Sequence, residues 1–179
     1  MFGKLNPVPA LDRPDLLPEA VYAAIRGFVP AAQVFEIDSE HADTETLCRV
    51  YDLPMDAMAN AVLVLGRRGG EERFACCMTL AHRRVDVNNV ARRRLDVRKA
   101  SFAPMEVAVE RSGMEYGGIT PVGLPAEWPV WVDGAVADRD LVCVGAGVRR
   151  AKLLLSGAEL LKLPTAERVD DLARDVGVA

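Results

Sequence analysis

The sequence predicts a mixed α+β domain, a β-sheet with helices packed around it. Three observations carry that prediction. Segments that read as strands outnumber those that read as helices, and their connections mix hairpins with crossovers. The run Ala61-Val62-Leu63-Val64-Leu65 is continuously apolar, as in a strand buried on both faces. At 179 residues the chain is long enough to enclose a sizeable core as one domain.

Taken in order, residues 1–16 carry Pro7, Pro9 and Pro14 and read as an irregular arm. Pro18 suits the first turn of a helix ending near Phe28, whose apolar stripe is Leu17, Val21, Ala24, Ile25 and Phe28. Residues 1–30 are thus expected as an arm and helix packed on a domain spanning 31–179. Ala32 to Ile37 reads as a strand, and Asp43 or Thr44 caps a helix running to Tyr51. His41, in the polar segment before that helix, has no acid or nucleophile beside it and reads as a loop residue. Pro54 to Ala59 forms a helical turn, and Asn60 opens the buried strand. Gly66 to Glu71 reads as a turn longer than two residues, with Arg73 to Leu80 as the returning strand.

Adjacent Cys76 and Cys77 would point to opposite faces of that strand. A helix from Asp86 or Val87 to Leu95 follows. Pro104 then starts another, ending at Ser112 with Gly113 beyond it, in which Met105, Val107, Ala108 and Val109 face inward. Three further strands lie at 129–133, 140–144 and 151–155. Ser156 and Glu159 compose a capping box for a helix to Leu163, and a last helix spans Ala166 to Arg174.

Composition narrows the function classes. No apolar run approaches the roughly 20 residues that cross a bilayer, and the N-terminal residues lack the apolar core of a signal peptide. Four cysteines without C-x-x-C spacing and only two histidines argue for a reducing, cytoplasmic setting with no metal and no cofactor. The formal net charge is −4, yet Arg83 to Lys99 holds seven basic residues against Asp86 and Asp96, a local excess of +5. Arg149, Arg150 and Lys152 form a second basic cluster. Such clusters are either solvated faces or footprints for a phosphate backbone touched transiently.

The stretch from Glu115 to Gly123 concentrates three glycines and a proline in seven positions, Gly117, Gly118, Pro121 and Gly123. Glycine admits positive φ and close approach of other atoms to the main chain. A tight helix-to-strand connection would explain it. So would a loop presenting backbone groups to a ligand, with Ile119 and Thr120 as its bulkiest central side chains.

These elements, in this order, resemble the YbaK/prolyl-tRNA-synthetase-associated family of aminoacyl-tRNA deacylases. The resemblance runs from about Val34 to Leu163. It rests on the Val34-Phe35 strand, His41 and Thr44 before a helix, the strand after Asn60, and Arg84-Val85-Asp86-Val87. The loop Gly118-Ile119-Thr120-Pro121-Val122-Gly123, the Val130-to-Asp133 strand and the turn Gly145-Ala146-Gly147 complete it. The resemblance implies a single, mixed, largely antiparallel, barrel-like sheet and a pocket between that sheet and the Gly-x-x-x-Pro loop. In that pocket the amino acid of a mischarged, proline-type tRNA would dock and its ester be hydrolysed, without a nucleophilic side chain and with help from the substrate's ribose hydroxyl. It assigns Asn60, Gly118 and Asp133 to catalysis. Gly117, Ile119, Thr120, Pro121, Gly123, Gly145 and Gly147 become substrate-binding residues, and Arg92, Arg93, Arg149, Arg150 and Lys152 become tRNA contacts.

One position departs from the pattern. The family usually carries a lysine where this chain has Asn60, and a neutral amide makes a contact about half as strong as a charge-assisted one. Lys152 or Arg149 could supply the charge from another strand. Otherwise the chain would bind an aminoacyl-tRNA end, or another small ligand, without cleaving it.

Overall fold

The computed structural model describes residues 1–176. Its first half contains β1 (Val8–Pro9), α1 (Glu19–Phe28), β2 (Gln33–Glu36), α2 (Thr44–Tyr51), β3 (Ala59–Arg68), β4 (Glu71–Leu80) and β5 (Arg83–Val85). A π-helical turn over Val87–Ala91 then leads into the short α3 (Arg92–Arg94), followed by β6 (Ala100–Phe102) and α4 (Met105–Ser112). The remainder comprises β7 (Val130–Asp133), α5 (Gly134–Ala137), β8 (Val142–Gly145), β9 (Ala151–Leu155), α6 (Gly157–Leu160), β10 (Ala166–Val169) and β11 (Ala173–Asp175).

The strands form a four-stranded ladder β1-β2-β9-β8, a five-stranded ladder β10-β7-β4-β3-β6 and a pair β11-β5. Among the strand ladders of the described residues, β7 alone pairs in parallel, with β4 and β10, so the mixed and largely antiparallel character is observed. A bridge from Met58 to Cys143 joins the two larger ladders along one edge, which gives the assembly a barrel-like but unclosed form.

Alternation along the strands explains the unbroken apolar runs. Val34, Leu63, Cys76, Val130, Val132, Val144 and Leu153 point into one central core beneath Val21 and Ile25 of α1. Their sequence neighbours Val64, Cys77 and Trp131 point outward, into a second core closed by Val87, Val90 and Leu95. On the other ladder, Phe35, Cys143 and Leu154 point outward, into a third core closed by Leu47 and Cys48 of α2. Both faces of each large ladder are therefore buried, and a run such as Ala61 to Leu65 serves two cores at once. Burial pushes the thiols of Cys76 and Cys77 well up, Cys77 to about 12, so they are packing groups rather than nucleophiles.

Four expectations are corrected. The β3–β4 hairpin stays in register to Arg68↔Glu71, so its loop is only Gly69-Gly70, both at positive φ as a two-residue turn of this hand demands. Met105 is 52% exposed, because α4 buries Ala108 and lays its first turn against solvent. The capping box of Ser156 and Glu159 forms, but its helix stops at Leu160. Ala166 to Arg174 is two strands, not a helix. Val169, Leu172 and Ala173 have helical spacing, yet a turn after Val169 delivers all three as buried side chains while β10 pairs in parallel with β7.

Asp133 fastens the end of β7 to the last strand. Its carboxylate is fully buried, accepts the Ala173 N–H at 3.1 Å and lies 3.1 Å from Nε of Arg83. Arg83 also donates to Asp175 (3.0 Å) and to the Ala173 carbonyl (2.6 Å). Burial pushes the Asp133 carboxyl above its ordinary range, partly offset by the Arg83 charge. Because it is raised, this group alone favours folding most at low pH, and that contribution fades as pH climbs through its folded pKa. At neutral pH the pair holds only while both partners are present. Asp133→Ala should therefore cost about 2 kcal/mol in chemical denaturation, from the unpaired Ala173 N–H and from an Arg83 left with Asp175 as its remaining carboxylate. Asp133→Asn, which still accepts from Ala173, should cost less than half of that.

Candidate functional site

A cavity of about 370 Å³ opens on the outer side of the four-stranded ladder, between the start of α2, the start of β3 and the glycine-rich loop. Each wall has a local reason to be where it is. Asp43 caps α2 by accepting the Thr46 N–H at 3.0 Å, which sets Thr44 at the rim. Thr44 Oγ1 donates to Oδ1 of Asn60 at 3.3 Å, so the amide nitrogen of Asn60 is left free to donate. The apolar side of the cavity comes from Met58, Ala59, Ala61, Cys143 and Val144.

The glycine loop forms the third wall by lying directly on the β8–β9 turn. Gly147 N–H donates to the Gly118 carbonyl at 2.7 Å, and Glu115 N–H donates to Gly147 at 3.0 Å. Backbone meets backbone here: a Cβ on Gly145 would come within 2.5 Å of the Gly118 oxygen, and one on Gly118 within 2.5 Å of the Val148 carbonyl. Arg149 clamps the arrangement, donating to Tyr116 O (3.1 Å) and Ser39 O (3.0 Å), while its own N–H donates to the Glu115 carboxylate (3.0 Å).

Lys152 occupies the register position opposite Gly145 in β8 and Phe35 in β2. It is 8% exposed, the one buried cationic side chain among the described residues, and its Nζ donates to the Gly117 carbonyl at 3.0 Å. Burial pulls its ammonium below the usual lysine value, with Arg149 adding to that and Cys143 and Asp43 opposing it. The neighbouring Cys143 thiol is itself pushed up to about 12 by burial and stays neutral.

Of the residues proposed from sequence, Asn60, Gly117, Ile119, Gly145, Arg149 and Lys152 line this one cavity. Gly118 sits behind the wall, its N–H given to Glu115 O and its carbonyl to Gly147. Thr120 is fully buried and braces Val122, and Gly123 and Gly147 take positive φ against α1 and Pro18. Pro121 is buried beside them. These residues shape the loop from outside the cavity.

Asp133 lies elsewhere, bound to Arg83 and Ala173, and makes no side-chain cap to α5. Arg92 and Arg93 donate to the carbonyls of Asn88 and Asn89, away from the cavity, and Arg150 donates to Asp15 O. His41 packs edge-on against Tyr51 and is not a cavity residue. The residues missed were Asp43, Met58, Tyr116 and Cys143. A capping aspartate next to a threonine was the readable sign for the first, and the others look like core or loop residues in sequence.

The sequence profile of the family described as aminoacyl-tRNA editing domain matches residues 38–163. The chain belongs to the aminoacyl-tRNA editing domain family. Among solved structures, the editing-domain fold is shared with the hypothetical protein APE2540, at 19% identity and a TM-score of 0.76, covering 87% of this chain and all of that one. A candidate trans-editing enzyme for prolyl-tRNA synthetase matches with a TM-score of 0.72 and 19% identity, over 87% of this chain and 98% of the other. A candidate signal-transduction protein from Marinobacter aquaeolei VT8 matches with a TM-score of 0.58 and 19% identity, over 89% of this chain and 31% of the other. The fold and the editing-domain membership are therefore established, and they agree with the resemblance read from the sequence.

Lys152 makes a stability prediction for this editing domain. Its folded pKa is depressed below 10.5, so the unfolded chain holds its proton to higher pH, and stability rises with pH between the two values. Below that window the buried charge is a full cost. Lys152→Met should raise the free energy of unfolding at pH 7 by about 1–2 kcal/mol and flatten the alkaline rise, as read by chemical denaturation across pH.

Proposed function

We propose that this editing domain is a trans-acting deacylase that hydrolyses the ester of a mischarged, proline-type tRNA. The observation that carries the reading is Lys152, a buried ammonium aimed into the cavity that also holds Asn60 and the glycine loop. It offers a positive charge where the residue at the start of β3 offers none.

The amino acid would sit against Met58, Ala59, Ala61, Cys143 and Val144, a lining that accepts a small uncharged side chain. A water attacks the ester carbonyl and the bond to the ribose oxygen breaks; one proton of the water ends on that oxygen as the ribose hydroxyl, the other passes to solvent, and the amino acid leaves as a carboxylate. The developing oxyanion needs donors held in place beforehand. Lys152 has spare protons on Nζ beyond the one given to Gly117. The amides of Gly117 and Ile119 have no backbone acceptor among the described residues. The Asn60 amide can hold the ribose or the attacking water from the opposite rim. Selectivity would come from cavity size, where one methylene is worth about 1–3 kcal/mol.

The second reading, binding without cleavage, is favoured by the missing charge at Asn60 itself. A deacylation time course over a panel of mischarged tRNAs, proline-accepting ones first, separates the two. Wild type should release amino acid, and Gly118→Val, whose side chain would collide with Val148, should lose at least 100-fold, the scale of one misplaced wall. Asn60→Lys should retain turnover. No release by wild type together with release by Asn60→Lys would mean that the cavity binds but does not cleave. Silence from both would overturn the editing reading.

A further inference from the structure

At the far end of β3 a second cleft, of about 560 Å³, is lined by Arg67, Arg68, Arg92, Asp96, Val97 and Arg98. Four guanidinium groups face one carboxylate there, in a chain whose net charge is −4. The carboxylate is already engaged, since Asp96 pairs with Arg68 and, at 3.3 Å, with Arg73. Arg67 is neutralised by Glu72 at 3.0 Å. Arg92 is oriented by its Nε donating to Asn88 O at 2.7 Å, which leaves its two terminal nitrogens free. Arg98 is exposed, and neither it nor Arg92 has a carboxylate partner among the described residues. Two of the four guanidiniums are thus compensated internally, and Arg92 and Arg98 leave a local charge of +2 open to a ligand.

The position of this cleft bears on its use. Asn60 and Arg68 stand at like-parity positions of β3 and so project to the same side of the strand. They are separated by eight residues, about 26 Å at the usual rise of a strand. That exceeds the Debye length of roughly 10 Å at 0.1 M salt, so the arginines cannot act on charge in the cavity. They can act on a long polyanion that reaches both places.

We infer that the Arg92–Arg98 cleft is a second RNA-binding site, which takes the phosphodiester backbone of the double-stranded stem behind an aminoacyl end held in the cavity. Duplex RNA is recognised mainly through shape and phosphates, and a pair of free guanidiniums suits that. The inference rests on the proposed function only for the identity of the RNA.

The test is fluorescence-anisotropy binding of unacylated tRNA, and of the single-stranded trinucleotide CCA, at several salt concentrations. Arg92→Ala/Arg98→Ala should bind tRNA roughly tenfold more weakly at 0.1 M salt and lower the slope of log K against log salt by about 2, with CCA binding unchanged. Arg26→Ala/Lys162→Ala removes the same charge from exposed positions elsewhere and should leave both quantities as in wild type. Equal tRNA affinity and slope in Arg92→Ala/Arg98→Ala and wild type would overturn the inference, as would an equal loss in the charge-matched control. Competition by inorganic phosphate at concentrations that leave the salt slope untouched would also overturn it, marking a small-anion site. Deacylation is not needed for any of these readouts. A protein inactive on every mischarged tRNA that still shows the expected difference would retain the cleft and lose the editing reading.

Discussion

Everything at the cavity depends on two backbones touching at Gly145. The carbonyls of Gly118 and Ile119 rest on that residue where any side chain would intrude, and the Gly147 N–H secures the contact at 2.7 Å. The same register places Lys152 beside Gly145 on the neighbouring strand, so one cross-strand pair supplies both room for the loop and a cation beneath it. Lys152 then donates back to Gly117, so the wall and the charge hold each other in position. A loop of this composition elsewhere on the surface would be a connection. Here it is one wall of a cavity.

The fold tolerates two buried charges and uses them differently. At the end of β7, Asp133 and Arg83 neutralise one another and join the last strand to the domain. At the cavity, Lys152 has no carboxylate partner among the described residues and makes one neutral hydrogen bond. A desolvated ammonium without a counter-ion is costly to keep and strong toward any developing negative charge. That asymmetry separates a structural charge from one available to a ligand, and it follows from contacts rather than from residue type.

Much of this was legible in the chain itself. The apolar runs marked the strands because both faces of each large ladder are buried, and the crowded glycines marked the places where main chains meet. The order of those elements was specific enough to identify the family that the sequence profile then confirmed over residues 38–163. Other features depend on long-range pairing that periodicity does not encode. Val169, Leu172 and Ala173 keep a helical spacing across two strands and the turn between them, because that turn substitutes for the helix in presenting them. Asp133 was assigned to the site by the resemblance and by its place at a strand end, whereas its partners are contributed by β5 and β11. Lys152 stood in the sequence beside Arg149 as a residue able to supply the charge absent at Asn60. The pairing of β9 between β8 and β2 is what buries it, whereas Arg149 is spent on backbone carbonyls and Arg150 reaches outward to Asp15.

The central proposal is that Lys152 on β9 supplies to this cavity the positive charge that Asn60, at the start of β3, does not. Single-turnover hydrolysis of one cleavable mischarged tRNA by wild type, Lys152→Met and the exchange variant Asn60→Lys/Lys152→Met tests it most directly. The account predicts a loss of about 100-fold or more in Lys152→Met, the scale of removing one oxyanion donor, and substantial recovery in the exchange variant. Undiminished hydrolysis by Lys152→Met would contradict it, and the positive charge in the cavity would then have no part in the chemistry.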